Sequence, residues 1–172
     1  MVPYVRKSFK KHLIVGMRFC ENKSEYKLKR FEKWLQYTSE DGAIHFDNTE
    51  FKELHPEAWD YAMEMTEREV RQAVEGLYHN LNTLQSRSGN QLPFTSINYG
   101  TCILPEGRMI TKALLEVSIE GLGRHRKTSI FPCGIFQVMK GVNKEPGTPN
   151  YDLYRLALQS TAQRLYPNYA NV

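Results

Sequence analysis

Between Pro93 and Met139 the chain reads strand, helix, strand, and that order limits the fold more than any other feature. Pro93 to Tyr99 alternates, with Phe94, Ser96 and Asn98 on one face and Thr95, Ile97 and Tyr99 on the other. Glu106 to about Leu122 has helical spacing, with Met109, Ala113, Leu114 and Val117 inward. Gly121 and Gly123 suit a left-handed cap at its end. Ile130 to Met139 is a second apolar strand. Two strands joined through a helix run parallel or nearly so, normally by a right-handed crossover. Such a pair needs more sheet and covered faces. The C-terminal half therefore reads as the opening of a larger α/β domain. The loop Lys140 to Pro149 leads to a last amphipathic helix, Asn150 to Leu165, and another strand could begin where the sequence stops.

Upstream, the pattern is helical. Pro3 opens a helix that runs to about Cys20. Ser24 to about Tyr37 follows, with Tyr26, Phe31, Trp34 and Leu35 expected on its inner side. Glu40-Asp41-Gly42 is a turn, and His45 to His55 reads as irregular. Pro56 starts the longest periodic stretch, to about Leu84, with Trp59, Met63, Val70, Val74, Leu77, Leu81 and Leu84 as its stripe.

The net charge of +4 hides blocks of opposite sign. Residues 1–35 carry ten Lys or Arg against three acids, a net +7, and residues 36–70 carry two against ten, a net −8. The plain reading is mutual neutralisation and solvation. A small basic nucleic-acid-binding module in residues 1–35 is the alternative, disfavoured because Trp34 and Phe31 read as buried rather than presented to bases.

No phosphate loop, HExxH, GxSxG or dinucleotide fingerprint is present. The five histidines are scattered, and His79 reads as a packing or surface residue. Cys20, Cys102 and Cys133 have neither CxxC nor metal-ligand spacing and suit a reducing cytosol. No stretch approaches the roughly 20 apolar residues of a membrane helix. A cytoplasmic protein with no membrane partner is expected.

The run from Ser86 through Arg87-Ser88-Gly89-Asn90-Gln91-Leu92-Pro93-Phe94-Thr95-Ser96-Ile97-Asn98-Tyr99 to Gly100 resembles a hallmark of the anaerobic, class III ribonucleoside-triphosphate reductases, the glycyl-radical branch of ribonucleotide reductase. Pro105-Glu106-Gly107-Arg108-Met109, Ile130-Phe131-Pro132, Gly141-Val142-Asn143, Pro149-Asn150-Tyr151-Asp152-Leu153 and Arg164-Leu165-Tyr166-Pro167-Asn168 resemble further stretches of that family in the same order. The likeness is strong over 62–172 and looser over 1–61.

The resemblance implies a ten-stranded α/β barrel. Residues 1–85 would be a helical segment on the dimer and effector side. Residues 86–172 would be a partial barrel, with Leu92–Gly100 and Ile130–Met139 as consecutive strands. It implies substrate contacts at Arg87, Ser88, Asn90, Gln91, Ser96 and Asn98, against a structural role for the same loop and strand. Ribonucleoside triphosphates, nucleotide effectors (ATP or deoxynucleotides), a homodimer and a radical-SAM activating enzyme are the implied ligands and partners. The glycyl radical, the radical cysteine in its Met-Gly-Cys-Arg setting and the four-cysteine zinc site have no counterpart in this sequence. No catalytic or metal-binding residue is therefore assigned, and the chain is expected to be an internal piece, inactive without the remaining pieces of the reductase. A non-catalytic remnant is the alternative. Cys133, in the second strand, is rejected as the radical site, and all three cysteines are expected to be small buried hydrophobes. Arg124, His125, Arg126 and Lys127 are expected to complement the preceding helix terminus.

Overall fold

The computed structural model describes residues 1–38, 44–83 and 94–172. The expected turn at Glu40-Asp41-Gly42 and the loop Arg87-Ser88-Gly89-Asn90 lie outside these residues. The described chain forms two compact units, Met1–Val70 and Arg71–Val172.

The first unit is helical: α1 (Val2–Phe19), α2 (Glu25–Thr38), α3 (Thr49–Leu54) and the opening of α4 (Pro56–Thr83). Pro3 stands in the first turn of α1, where a missing N–H costs nothing. Phe9 and Leu13 are completely buried, and Phe9 meets Trp59 edge to face at 4.9 Å. Gly16 lets α1 approach α4 closely, since a Cβ there would lie 2.9 Å from the Ala58 carbonyl oxygen. Glu69 ties α4 to α1: Ser8 Oγ donates to its Oε2 at 2.6 Å, and His12 Nε2 lies 2.6 Å from the same oxygen.

Two expectations fail in this unit, and a third is incomplete. The buried side of α2 is Leu28, Phe31 and Leu35, spaced at three and four residues, whereas Tyr26 is 75% exposed and Trp34 49% exposed. The segment expected to be irregular contains α3, because the Asn48 side chain accepts a hydrogen bond from the Phe51 N–H at 2.9 Å and caps it. On α4 Trp59 is buried as expected, and the small side chains of Ala58, Ala62 and Thr66, which an apolar stripe overlooks, are buried beside it.

The second unit is built on a parallel sheet in the order β1 (Ser96–Tyr99), β2 (Cys133–Val138), β3 (Asn168–Asn171). Between them run α5 (Pro105–Glu120) and α6 (Tyr151–Arg164). The expected crossover with parallel strands is present. The third strand lies where one was expected to begin, at Ala170-Asn171, and starts two residues earlier at Asn168. Tyr99, Phe136 and Val138 are buried on the inner face of the sheet, where the Phe136 ring lies 6.1 Å from that of Tyr154 on α6. Among the described residues, no helix is long and apolar enough to cross a membrane.

Candidate functional site

Parallel register sets which side chains share a face. Ser96 pairs with Cys133 and Asn98 with Ile135, while Ile135 pairs with Asn168 and Gln137 with Ala170. Alternation then puts Ser96, Asn98, Cys133, Gln137 and Asn168 on one side of the sheet, with Ile135 and Ala170 among them. Ser96, Asn98 and Asn168 are exposed, and Cys133 and Gln137 are half-buried. The opposite side carries Tyr99, Gly134 and Phe136, all buried. The sheet thus has one aromatic face and one face rich in hydroxyl, amide and thiol groups. Of the sequence-derived candidates, Ser96 and Asn98 stand together on this polar face. Arg87, Ser88, Asn90 and Gln91 lie outside the described residues, in the segment that precedes β1.

The carboxyl ends of the strands are held by two asparagines with no exposed surface. Asn143 donates to the carbonyls of Gly100 at 3.0 Å and Gln137 at 2.8 Å, and its Oδ1 accepts from the Met139 N–H at 2.9 Å. Asn150 donates to the same Gly100 carbonyl at 3.0 Å and to that of Cys102 at 2.9 Å. Arg108 in turn donates to Asn150 Oδ1 at 2.7 Å, to Asp152 Oδ2 at 2.7 Å and to the Pro149 carbonyl. A side chain at position 100 would meet the Gln137 carbonyl oxygen at 3.0 Å, and Gly100 has φ +116°, so glycine is required there on both counts. Three of the separate stretches singled out in the sequence, around Arg108, Asn143 and Asn150, therefore meet in one clasp. Nothing in the sequence alone gives these residues a role.

Two further clasps fix the frame. Asn82 Oδ1 accepts from the N–H groups of Ile130 and Phe131 at 2.8 and 3.1 Å, and its Nδ2 donates to the Phe131 carbonyl at 2.5 Å. Arg164 donates to the carbonyls of Ile119, Glu120 and Arg126 at 2.8, 3.0 and 3.0 Å. The cation at the C-terminus of α5 is thus Arg164 rather than the run Arg124–Lys127, whose side chains are exposed. The hairpin bridge between Leu122 and Lys127 turns that run outward.

Tyr99, Tyr166 and Tyr78 form the inner wall. Burial pushes all three phenols up from their ordinary range, and the neighbouring tyrosines add to the effect on Tyr99. Tyr166 donates to the Pro132 carbonyl and Tyr78 to that of Leu114, whereas the buried Tyr99 hydroxyl has no hydrogen-bond partner. These groups stay neutral and structural.

A separate hollow of about 470 Å³ lies between α4 and the end of α5, lined by Gln72, Glu75, His79, Glu120 and Leu122 among others. Arg71 bridges its two carboxylates, Glu75 at 3.2 Å and Glu120. The carboxylate walls do not suit a phosphate. His79 is an exposed surface residue. Cys20 and Cys102 are exposed and Cys133 half-buried, so the expectation of three buried cysteines fails. Three cysteines are one short of a four-thiolate zinc site. Among the described residues, no three His, Cys, Asp or Glu side chains are placed to hold a metal ion.

A family model described as anaerobic ribonucleoside-triphosphate reductase matches residues 1–172, including the N-terminal stretch where the likeness is looser. A protein of that name from Salmonella typhimurium is 39% identical over 116 residues, which are 67% of this chain and 16% of the relative. The Escherichia coli protein is 38% identical over the same length. The one from Enterobacteria phage T4 is 39% identical over 132 residues, 77% of this chain and 22% of the relative. The chain spans less than a quarter of the curated relatives it matches.

Proposed function

The chain belongs to the anaerobic ribonucleoside-triphosphate reductase family, and we propose that it is the part of such a reductase that opens the barrel and presents one wall of the substrate site. The whole enzyme would replace the ribose 2′-hydroxyl of a ribonucleoside triphosphate by hydrogen through radical chemistry. The glycyl radical, the radical cysteine, the zinc site and the activating radical-SAM enzyme would lie outside this chain. No step of the reaction is assigned to its own side chains.

The observation that carries the reading is the polar face of the parallel sheet, with Ser96 and Asn98 exposed on its first strand. In an α/β barrel, helices cover one face of the sheet and the other looks into the centre. Here Phe136 and Tyr99 face inward to aromatic packing, while hydroxyl and amide groups look the other way. β1 and β3 are the outer strands of the described sheet, which suits a sheet continued by further strands. Ser96 and Asn98 would hydrogen-bond substrate hydroxyls, and Arg87, Ser88, Asn90 and Gln91 would supply contacts from the loop before the strand. Residues 1–85 would form the helices on the dimer and effector side, and the assembly would work in the cytoplasm.

Native mass spectrometry of this chain, captured anaerobically from its source, tests the assignment. The expected species carries the rest of a reductase sequence, in one polypeptide or in companion chains. A lone species of 20.0 kDa would overturn it in favour of a remnant.

A further inference from the structure

The outward side of α2 carries a charge and ring pattern that the reductase reading does not use. At 100° per residue, Lys29, Lys33, Tyr26, Arg30, Trp34 and Lys27 fall in one arc of roughly 160°, opposite Leu28, Phe31 and Leu35. The two carboxylates of the first 10 residues, Glu25 and Glu32, lie outside that arc. Tyr26 and Trp34 are 75% and 49% exposed. Trp34 is also braced. Its ring stacks on Phe31 at 5.9 Å and 24°, and Phe31 stacks on Phe51 at 5.3 Å. A half-exposed indole held from behind by a stacked ring is a rigid platform rather than a loose side chain. Tyr26 lies eight residues away, about 12 Å along the axis.

We propose that this face of α2 binds single-stranded nucleic acid, with Trp34 and Tyr26 stacking on bases and Lys27, Arg30 and Lys33 pairing with phosphates. The chemistry fits a strand that offers both groups at once: a purely acidic peptide would use the cations and leave the rings without a role. Aromatic stacking is sequence-tolerant because every base has a π face, so little base preference is expected. The site lies on the first unit and is independent of the assignment of the polar sheet face.

The test uses the full chain and an oligothymidylate of 15 nucleotides, with fluorescence read from its own tryptophans. There are two, and Trp59 is 3% exposed, so quenching reports Trp34. Addition of the oligonucleotide should quench the exposed component. Three phosphate contacts should give a log-affinity slope of about −2 against log salt. Trp34→Ala should weaken binding about tenfold, and Trp34→Phe should recover part of the loss. Arg30→Glu with Lys33→Glu should abolish binding while the helical circular dichroism stays unchanged. The proposal is overturned if Trp34 is not quenched, if the charge-reversed chain binds equally well, or if polyglutamate or anionic vesicles compete as well as the oligonucleotide. Equal or tighter binding of the same length of duplex would also overturn it, since stacked pairs leave no base face for Trp34.

Discussion

Asn143 donates to the carbonyl of Gly100 at 3.0 Å, across 43 residues of sequence, and both groups are buried. The bond joins the end of β1 to the loop after β2. Asn143→Ala would take the side-chain partner from the Gln137 carbonyl and the Met139 N–H, while the Gly100 carbonyl keeps its bond from Asn150. Each buried polar group left without a partner costs about 1–3 kcal/mol, so a loss of about 3 kcal/mol is expected. Urea unfolding followed by far-ultraviolet circular dichroism measures it. Asn143→Asp should rescue little, because a carboxylate keeps the acceptor and loses both donated bonds.

Position 134 tests the tyrosine wall. A Cβ on Gly134 would stand 2.6 Å from the Tyr99 hydroxyl and 2.9 Å from that of Tyr166. Gly134→Ala should destabilise by about 1–3 kcal/mol through overpacking. Tyr99→Phe alone should be close to neutral, since it removes a buried hydroxyl that has no partner. Combined with Gly134→Ala, it should recover a large part of the loss. A double-mutant cycle on unfolding midpoints reads the coupling.

Arg164 should matter more than the basic run that precedes it in sequence. It reaches three carbonyls at and beyond the end of α5. Arg164→Ala should cost about 2 kcal/mol, by loss of charged hydrogen bonds and of the cation at a helix C-terminus. Arg164→Lys should restore less than half, because an ammonium cannot span three acceptors as a planar fork does. Arg124→Ala should change the midpoint little.

The hydrogen bonds from Ser8 and then His12 hold the Glu69 carboxyl below its ordinary value of 4.5. A carboxylate with a lowered folded-state pKa contributes stability above the unfolded-state value. That contribution is lost as pH falls through the folded-state value. The first unit should therefore weaken in acid below about pH 4.5. Glu69 is 46% exposed, which keeps the effect small. Both tryptophans lie in this unit, so fluorescence-monitored urea midpoints from pH 7 downward report it, and Glu69→Gln should flatten the acid limb.

The elements legible in the sequence are those with strong local signals. Pro3 marks the start of α1, and the long periodic stretch gives α4. The alternation of Phe94, Ser96 and Asn98 with Thr95, Ile97 and Tyr99 sorts correctly into exposed and buried faces of β1. Non-local signals were hidden. β3 is only Asn168-Tyr169-Ala170-Asn171; its place after α6 could be expected, but its polar residues hide its start, which its pairing with Ile135 to Val138 sets. On α2 Phe31 and Leu35 are inward as expected, but the large rings Tyr26 and Trp34 are not, and Leu28 completes the true seam. The asparagine clasp was equally hidden. An amide reads as polar and exposed, and only the fold supplies the carbonyls of Gly100, Gln137 and Cys102 that let Asn143 and Asn150 be buried.

The most direct test of the reductase assignment is anaerobic nucleotide reduction by this chain completed with the rest of a reductase sequence and its activating enzyme. Ribonucleoside triphosphate and ATP are supplied, and the deoxynucleotide is quantified. The expected result is product, with Ser96→Ala and Asn98→Ala each lowering kcat/KM by about tenfold, the size of one lost hydrogen bond to substrate, and leaving the unfolding midpoint unchanged. No product with every part present would contradict the reductase role, and full activity in both variants would contradict the placement of substrate on the polar face of β1.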